Sequence, residues 1–560
     1  MMDPSATVEK KHGHTTEPDP QVDIQAANQN ILDTQGLRRT LNNRQAQLLA
    51  IGGSIGTGLF VSIGNGLAAG GPGSLLIAFT FYSLILACVN NCIAEMTVYH
   101  PVSGGFIRLA GKWVDDALGF MVGWNFFFYE ALMIPFEITA LNLVLSYWRD
   151  DIPIAAVCAV CIVLYAGINF LAVRTFGEAE FWLSSGKVLL IFILFLFTFV
   201  TMVGGNSQHD TYGFRYWQHL GAFAEYRTKG NLGRLEGFLA ALWSAAFTIV
   251  GPEYISMSAA EVQRHRIFVK SAFKTIYWRF MLFFIMGAIC VGIVVPWNDP
   301  TLQVILTGTS SAAGAAASPY VVAMANLHIN WLPHVVNALL ITSIFSAGNT
   351  LTYCATRSLY SLALDGRAPK VLTKTRHGVP VYAFAVVMCF PFLSFLQLSN
   401  NAAQVLQWLV SLVTAGALID FLVMCITYLN FYHALKAQGI DRTTLPYVGY
   451  FQPYCAWIGI LTMTLVLIFY GYTAFAPFKI QSFWQNYTMQ VVVPILYLGW
   501  KFLKKTRVIK PGDVDLVWET PILDFYEASF TEDPPSFWCE LSQLLRFQRK
   551  RSSQSVPSHN

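Results

Sequence analysis

Charge is what this sequence has least of. Only 12% of its 560 residues are Asp, Glu, Lys or Arg, and 54% are hydrophobic. Soluble domains carry about 25% charged residues, so an ordinary soluble domain is excluded and lipid is the expected solvent. The net charge of +4 says little by itself, and nucleic acid is not an expected partner. Cysteine is sparse as well. Most of the ten lie inside apolar runs, and Cys158-x-x-Cys161 has no His or acidic residue beside it. Such thiols read as small apolar filler, so no metal is expected. The polar segments hold no nucleophile–base pair and no ligand cluster, so neither an enzyme nor a cofactor is expected. A signal peptide is not expected either, because residues 1–45 are polar and long.

What fills the chain instead is apolar runs of membrane-spanning length, about twelve of them. They fall near 46–69, 74–99, 119–147, 152–173, 181–204, 236–260, 272–296, 331–356, 380–398, 404–432, 455–475 and 488–504. The expected fold is therefore an all-α integral membrane protein. A cytosolic tail (1–45) precedes the spanning domain (46–504), and a second cytosolic tail (505–560) follows it. Lys and Arg crowd the loops on one side, including Arg108, Arg264, Arg266, Arg367, Lys436, Arg442 and Lys501. The positive-inside rule then makes both termini cytoplasmic. The segment Phe537-Trp538-Cys539 to Arg551 reads as an amphipathic helix on the inner leaflet or docked on the bundle.

The first run contains Gly52-Gly-Ser-Ile-Gly-Thr-Gly-Leu-Phe60, with four glycines in seven positions. Each costs about 1 kcal/mol against alanine inside a helix. Small-residue packing against a neighbour is one reading. The other is a broken helix, whose second half starts with unpaired N–H groups and the positive end of a dipole, a site for a carboxylate. Ser54, Ile55, Gly56, Thr57 and Gly58 would then supply the cradle. The sixth run repeats the oddity about 195 residues later, as Phe247-Thr-Ile-Val-Gly251-Pro252-Glu253. Paired interrupted helices in corresponding halves point to a transporter site between inverted repeats of five helices each. The third run carries Glu130 and Glu137 on one helical face, and intramembrane acids usually face the bundle interior with a partner. A purely structural ion pair is the expectation for Glu130.

The Gly52–Phe60 motif, preceded by Leu41-Asn-Asn-Arg-Gln, resembles the first membrane helix of the fungal amino-acid permeases of the amino acid–polyamine–organocation superfamily. The same resemblance runs through Glu95-Met96 with Pro101-Val-Ser-Gly-Gly-Phe106, then Glu178-x-Glu-Phe-Trp182, then Ala355-Thr-Arg357-Ser-Leu-Tyr360. It implies a twelve-helix symporter that imports amino acids with protons across the plasma membrane, probing a broad or neutral range of side chains. By resemblance, Glu137 lies beside the substrate, Phe247 forms an aromatic lid, and Gly251 and Glu253 shape the sixth-helix break. Pro252 departs from the family pattern there. Lys187 stands where an amine replaces the cation of sodium-coupled relatives, which implies a proton-coupling role. Snorkelling to the interface is its competing reading. Lys10 and Lys11 are ubiquitin-acceptor positions in the same sense, with a ubiquitin-ligase adaptor as a partner of the tails. An amino-acid sensor that does not transport, and an exchanger, are the alternative functions.

Overall fold

A computed structural model describes residues 41–530, apart from 44, 48–50, 52–54, 150, 172, 308–317, 377, 400–401, 476, 519 and 529. Without water in hydrocarbon, each backbone N–H must find its acceptor within its own segment, and helices satisfy that demand. Among the described residues, nine helical stretches are long and apolar enough to cross a bilayer. The first, Gly58–Tyr99, is two segments. Gly71 (φ 76°) takes the left-handed conformation and Pro72 follows it, which divides α1 (58–70) from α2 (72–99). A Cβ at Gly71 would lie 2.8 Å from the Ala224 nitrogen, so only glycine fits that turn.

A short helix, α3 (Gly105–Trp113), leads to α4 (Asp116–Leu145), whose first turn is capped by the Asp115 side chain accepting the Ala117 N–H. Then come α5 (Ile154–Leu171) and α6 (Val173–Met202). The sixth apolar run is split into α7 (Asn231–Thr248) and α8 (Pro252–Ser258). After α9 (His265–Val294) and α10 (Leu332–Leu364) comes α11 (Val381–Leu398), whose last nine residues tighten to a 3-10 helix around Pro391. The chain continues through α12 (Ala402–Ala437), α13 (Tyr454–Phe469) and α14 (Ile480–Lys504). Each of the twelve apolar runs meets helix. The last begins at Ile480, eight residues before the expected 488, because the polar residues Gln481, Gln485 and Asn486 line a cavity and depress the hydropathy of that end.

The layering is inverted relative to a soluble protein. Leu84, Val163, Leu196 and Leu461 are more than 60% exposed on the outer faces, while Asn125, Glu130, Glu137, Glu180, Lys187, Glu253 and Asp420 are buried. Helix α4 is the central post, packed on α10 and α12, and α1 packs on α7, with Gly66 against Ser244 and Gly70 against Gly237.

The end of the bundle that carries the basic loops is closed. Arg357 pairs with Glu261 at 2.7 Å, Arg108 with Asp365 at 3.0 Å, Arg367 with Asp116 at 2.9 Å, and Arg442 with Glu95 at 2.7 Å. Two stretches assigned to the tails belong to this end. The Leu41 N–H donates to the Glu261 carbonyl at 3.0 Å, so residues 41–43 join the bundle rather than the preceding tail. After α14 the chain returns as a strap under the same face. The His100 ring and the Tyr99 hydroxyl both meet the Leu516 carbonyl, and α15 (Thr520–Ala528) pairs with Arg266 through Asp524. Lys10, Lys11 and the segment from Phe537 to Arg551 lie outside the described residues.

Candidate functional site: two broken helices around a buried glutamate

The first helix resumes at Thr57–Gly58 as a π-turn, Gly58–Ser62, before becoming regular. Residues 52–54, and with them Ser54, lie outside the described residues. The Ile55 N–H is already bonded to the Ile51 carbonyl at 2.9 Å, so it is withdrawn from the expected carboxylate cradle. What is left is the start of the resumed helix, Thr57 and Gly58 among its first N–H groups, which have no acceptor within the helix.

That start is occupied from within. Glu137, fully enclosed in α4, accepts the Thr57 hydroxyl and lies against the Thr57 backbone N–H. A side-chain carboxylate stands where an anionic ligand was expected, as the dipole and the unpaired N–H groups favour. Gly56 allows this approach: a Cβ there would lie 3.4 Å from Glu137 Oε1. Gly58 faces the other break, since its Cβ would be 2.9 Å from the Thr248 Cα at the end of α7. The glycines thus serve both close packing and site-building.

At that second break, Gly251 has φ 150°, and Pro252 takes the first helical position of α8. Proline costs little there, since its missing N–H would have had no helical partner. The Glu253 carboxylate accepts the Gly251 N–H at 3.0 Å, so this break too is capped by its own glutamate. Thr248 ends α7 with a buried hydroxyl that has no hydrogen-bond partner among the described residues, directly beside Gly58. Sequence reasoning missed it, because a threonine in an apolar run carries no signal of its own. Phe247 meets Phe136 edge-to-face, with ring centroids 5.2 Å apart.

Lys187 is completely buried in α6, against the snorkelling alternative. It interacts electrostatically with Glu180 and with Glu137. Glu180 is held in turn by the Ser184 hydroxyl at 2.8 Å and the Ser346 hydroxyl at 2.5 Å. One line of hydrogen bonds and electrostatic interactions therefore runs from the first-helix break through Glu137 and Lys187 to Glu180 and on to α10. Glu130, one face but two turns away, has no ion-pair partner among the described residues, contrary to expectation. The Glu95 motif and its following loop close the basic end. Thr97 and the Phe106 N–H each meet the Ser256 hydroxyl of α8 at 3.1 Å.

A cavity of about 600 Å³ starts at Thr57, Phe136 and Phe247 and is lined further out by Asn65, Ser244, Trp243 and Trp408. It ends among Tyr226, Tyr472 and Lys479, at the end opposite the ion-paired face. The arrangement offers a polar floor made of two helix breaks, beneath aromatic walls.

Comparison with known proteins agrees with this geometry. The family model described as amino acid permease matches residues 45–510. The general amino acid permease AGP2 of Saccharomyces cerevisiae is 45% identical over 501 residues, covering 88% of this chain and 84% of the relative. The dicarboxylic amino acid permease of the same yeast is 37% identical, over 87% of this chain and 81% of the relative. A proline-specific permease of Emericella nidulans is 36% identical, over 90% and 92%. The chain belongs to the amino acid permease family, as an all-helical multi-span transporter and not an enzyme.

Proposed function

We propose that this permease is a proton-coupled importer of amino acids at the plasma membrane, with both termini cytoplasmic. The observation that carries the reading is Glu137, which caps the first-helix break through Thr57 and interacts with the buried Lys187. A substrate carboxylate needs the helix start that the Glu137 carboxylate occupies, and two anions do not share it. Adding a proton to Glu137 weakens its hold and frees Thr57 and Gly58. Lys187 is the amine able to supply or take that proton, since a buried ammonium gives up its charge readily. The substrate ammonium then faces the carbonyls of the second break near Gly251, and Phe247 covers the side chain. One charge crossing about 100 mV contributes about 2.3 kcal/mol, about fiftyfold accumulation at 1.4 kcal/mol per tenfold. The relatives' names span general, dicarboxylic and proline-specific transport, so the accepted side chain is a matter for experiment. Uptake of a radiolabelled amino-acid panel by a permease-deficient host, with medium pH recorded, tests the reading. Uptake without substrate-dependent alkalinisation overturns proton coupling. Absence of any uptake overturns import.

A further inference from the structure

Glu130 does nothing in the site just described, yet it is buried with no ion-pair partner among the described residues. It lies on α4 seven residues before Glu137, is 0% exposed, and has the Tyr254 hydroxyl as its hydrogen-bonding neighbour, with no cation at either oxygen among the described residues. Two more buried acids interact with it electrostatically, Glu253 of α8 and Asp420 of α12. Asp420 Oδ1 accepts the Asn125 amide at 2.9 Å, while its Oδ2 and the Glu253 Oε1 meet no hydrogen-bond donor among the described residues. Among the described residues no Lys, Arg or His pairs with any of the three. The other titratable groups facing Glu130 are Tyr129 on its own helix, Tyr254 of α8 and Cys354 of α10. A second, independent group points the same way: the Tyr82 hydroxyl of α2, 0% exposed and without a hydrogen-bond partner among the described residues, interacts with Glu253.

Three carboxylates in one membrane interior, with no counter-cation among the described residues, repel each other and lack solvation, so protons neutralise part of the set. An unpaired acid that were only structural would carry that cost with no return, and no pairing among the described residues offsets it. We propose that Glu130 carries a proton in the transport cycle, exchanging it with Asp420 and Glu253. Glu253 is the link to substrate, because its other oxygen caps the break at Gly251. When α8 shifts on substrate binding, the spacing of the three acids changes. The Glu130 O–H bond then breaks and the proton passes to a neighbouring carboxylate oxygen and on to water on the inner side. No electron transfer is involved.

The inference rests on the proton-coupled reading, and the experiment separates the two. Wild-type and variant proteins are reconstituted into liposomes, and substrate uptake and substrate-driven proton entry are measured together across pH 4 to 8. The wild type should move protons with substrate. If it does not, the proton-coupled reading fails and takes this inference with it. Glu130→Gln should keep substrate binding within about threefold while proton entry falls at least tenfold and the pH dependence flattens, and Glu130→Asp should restore both. Asp420→Asn gives a second arm that does not depend on the folding of the Glu130 variants. Removing a neighbouring negative charge makes the Glu130 anion easier to form, so half-maximal uptake should move to more acidic pH. A wild type that moves protons, beside a Glu130→Gln protein with the same proton-to-substrate ratio and pH profile, overturns the inference. So does an Asp420→Asn profile that superimposes on the wild type.

Discussion

Two residues concentrate the chemistry, and each makes a sharp prediction. Lys187 is fully buried and interacts electrostatically with Glu180 and Glu137. Lys187→Met should reduce accumulation from about fiftyfold to equilibration while binding persists. Lys187→Arg should fail as well, since a guanidinium hardly deprotonates and its planar fork is larger than the space of an ammonium. An Arg variant with full accumulation would remove Lys187 from the coupling. Gly56 separates two sizes of substituent. A Cβ stands 3.4 Å from Glu137 Oε1 and 3.6 Å from the Ala347 Cβ, which is ordinary contact. Gly56→Ala should therefore retain transport in part. Gly56→Val, whose branches reach Glu137 itself, should abolish it at normal surface level. Uptake by the Val variant equal to wild type would rule out this cradle.

At the scale of elements, the two interrupted helices act as a pair. The α1 start and the α7 end meet at Gly58 and Thr248, and each break is capped by a glutamate, from α4 in one case and from α8 itself in the other. Phe247 closes the cavity side of this junction against Phe136. Removing the ring opens space at the side chain of a substrate and leaves the carboxylate cradle intact. Phe247→Ala should then change the ranking of competing amino acids more than the maximal rate. A uniform drop for every competitor would sink the lid assignment. Both breaks were legible because glycine and proline are costly in an apolar helix. The Glu137 cap was not, because α4 lies about 80 residues from the break it serves.

At the scale of the whole molecule, the end that carries the basic loops is tied by ion pairs. The strap after α14 belongs to the tied end, and its docking depends on His100. That ring is 0% exposed and meets the Leu516 carbonyl at 3.0 Å. Burial, aided by the nearby Arg266, lowers its pKa from 6.5 to about 4. A depressed histidine contributes its stability above the unfolded value and loses it as pH falls. The strap should loosen progressively between pH 6.5 and 4, by up to about 3 kcal/mol. Hydrogen exchange of residues 511–528 should rise across that window and flatten in His100→Gln. Constant protection across it would contradict the docking. The buried Arg357–Glu261 pair ties the same end. Arg357→Gln strands a buried carboxylate, at a cost of about 3–5 kcal/mol, and should lower the Tm of the purified protein by several degrees.

By itself the sequence determined the class of molecule, the family, the positions of twelve apolar runs and the two places where helices must break. These follow from composition and from local rules: lipid demands apolar helices, and glycine or proline is tolerated within them only for a reason. The basic loops gave orientation by count, though several of the arginines counted there are the ones that form the ion pairs of the closed end. Only the tertiary structure decided which acids work together. Glu137 and Glu130 share a helix face, yet one meets Thr57 and the other faces Asp420 and Glu253. Likewise Lys187 is interior rather than interfacial because of what α6 packs against, and Ile55 loses its role to a bond with Ile51. Partnership between residues hundreds of positions apart is set by helix packing, and local sequence carries no term for it.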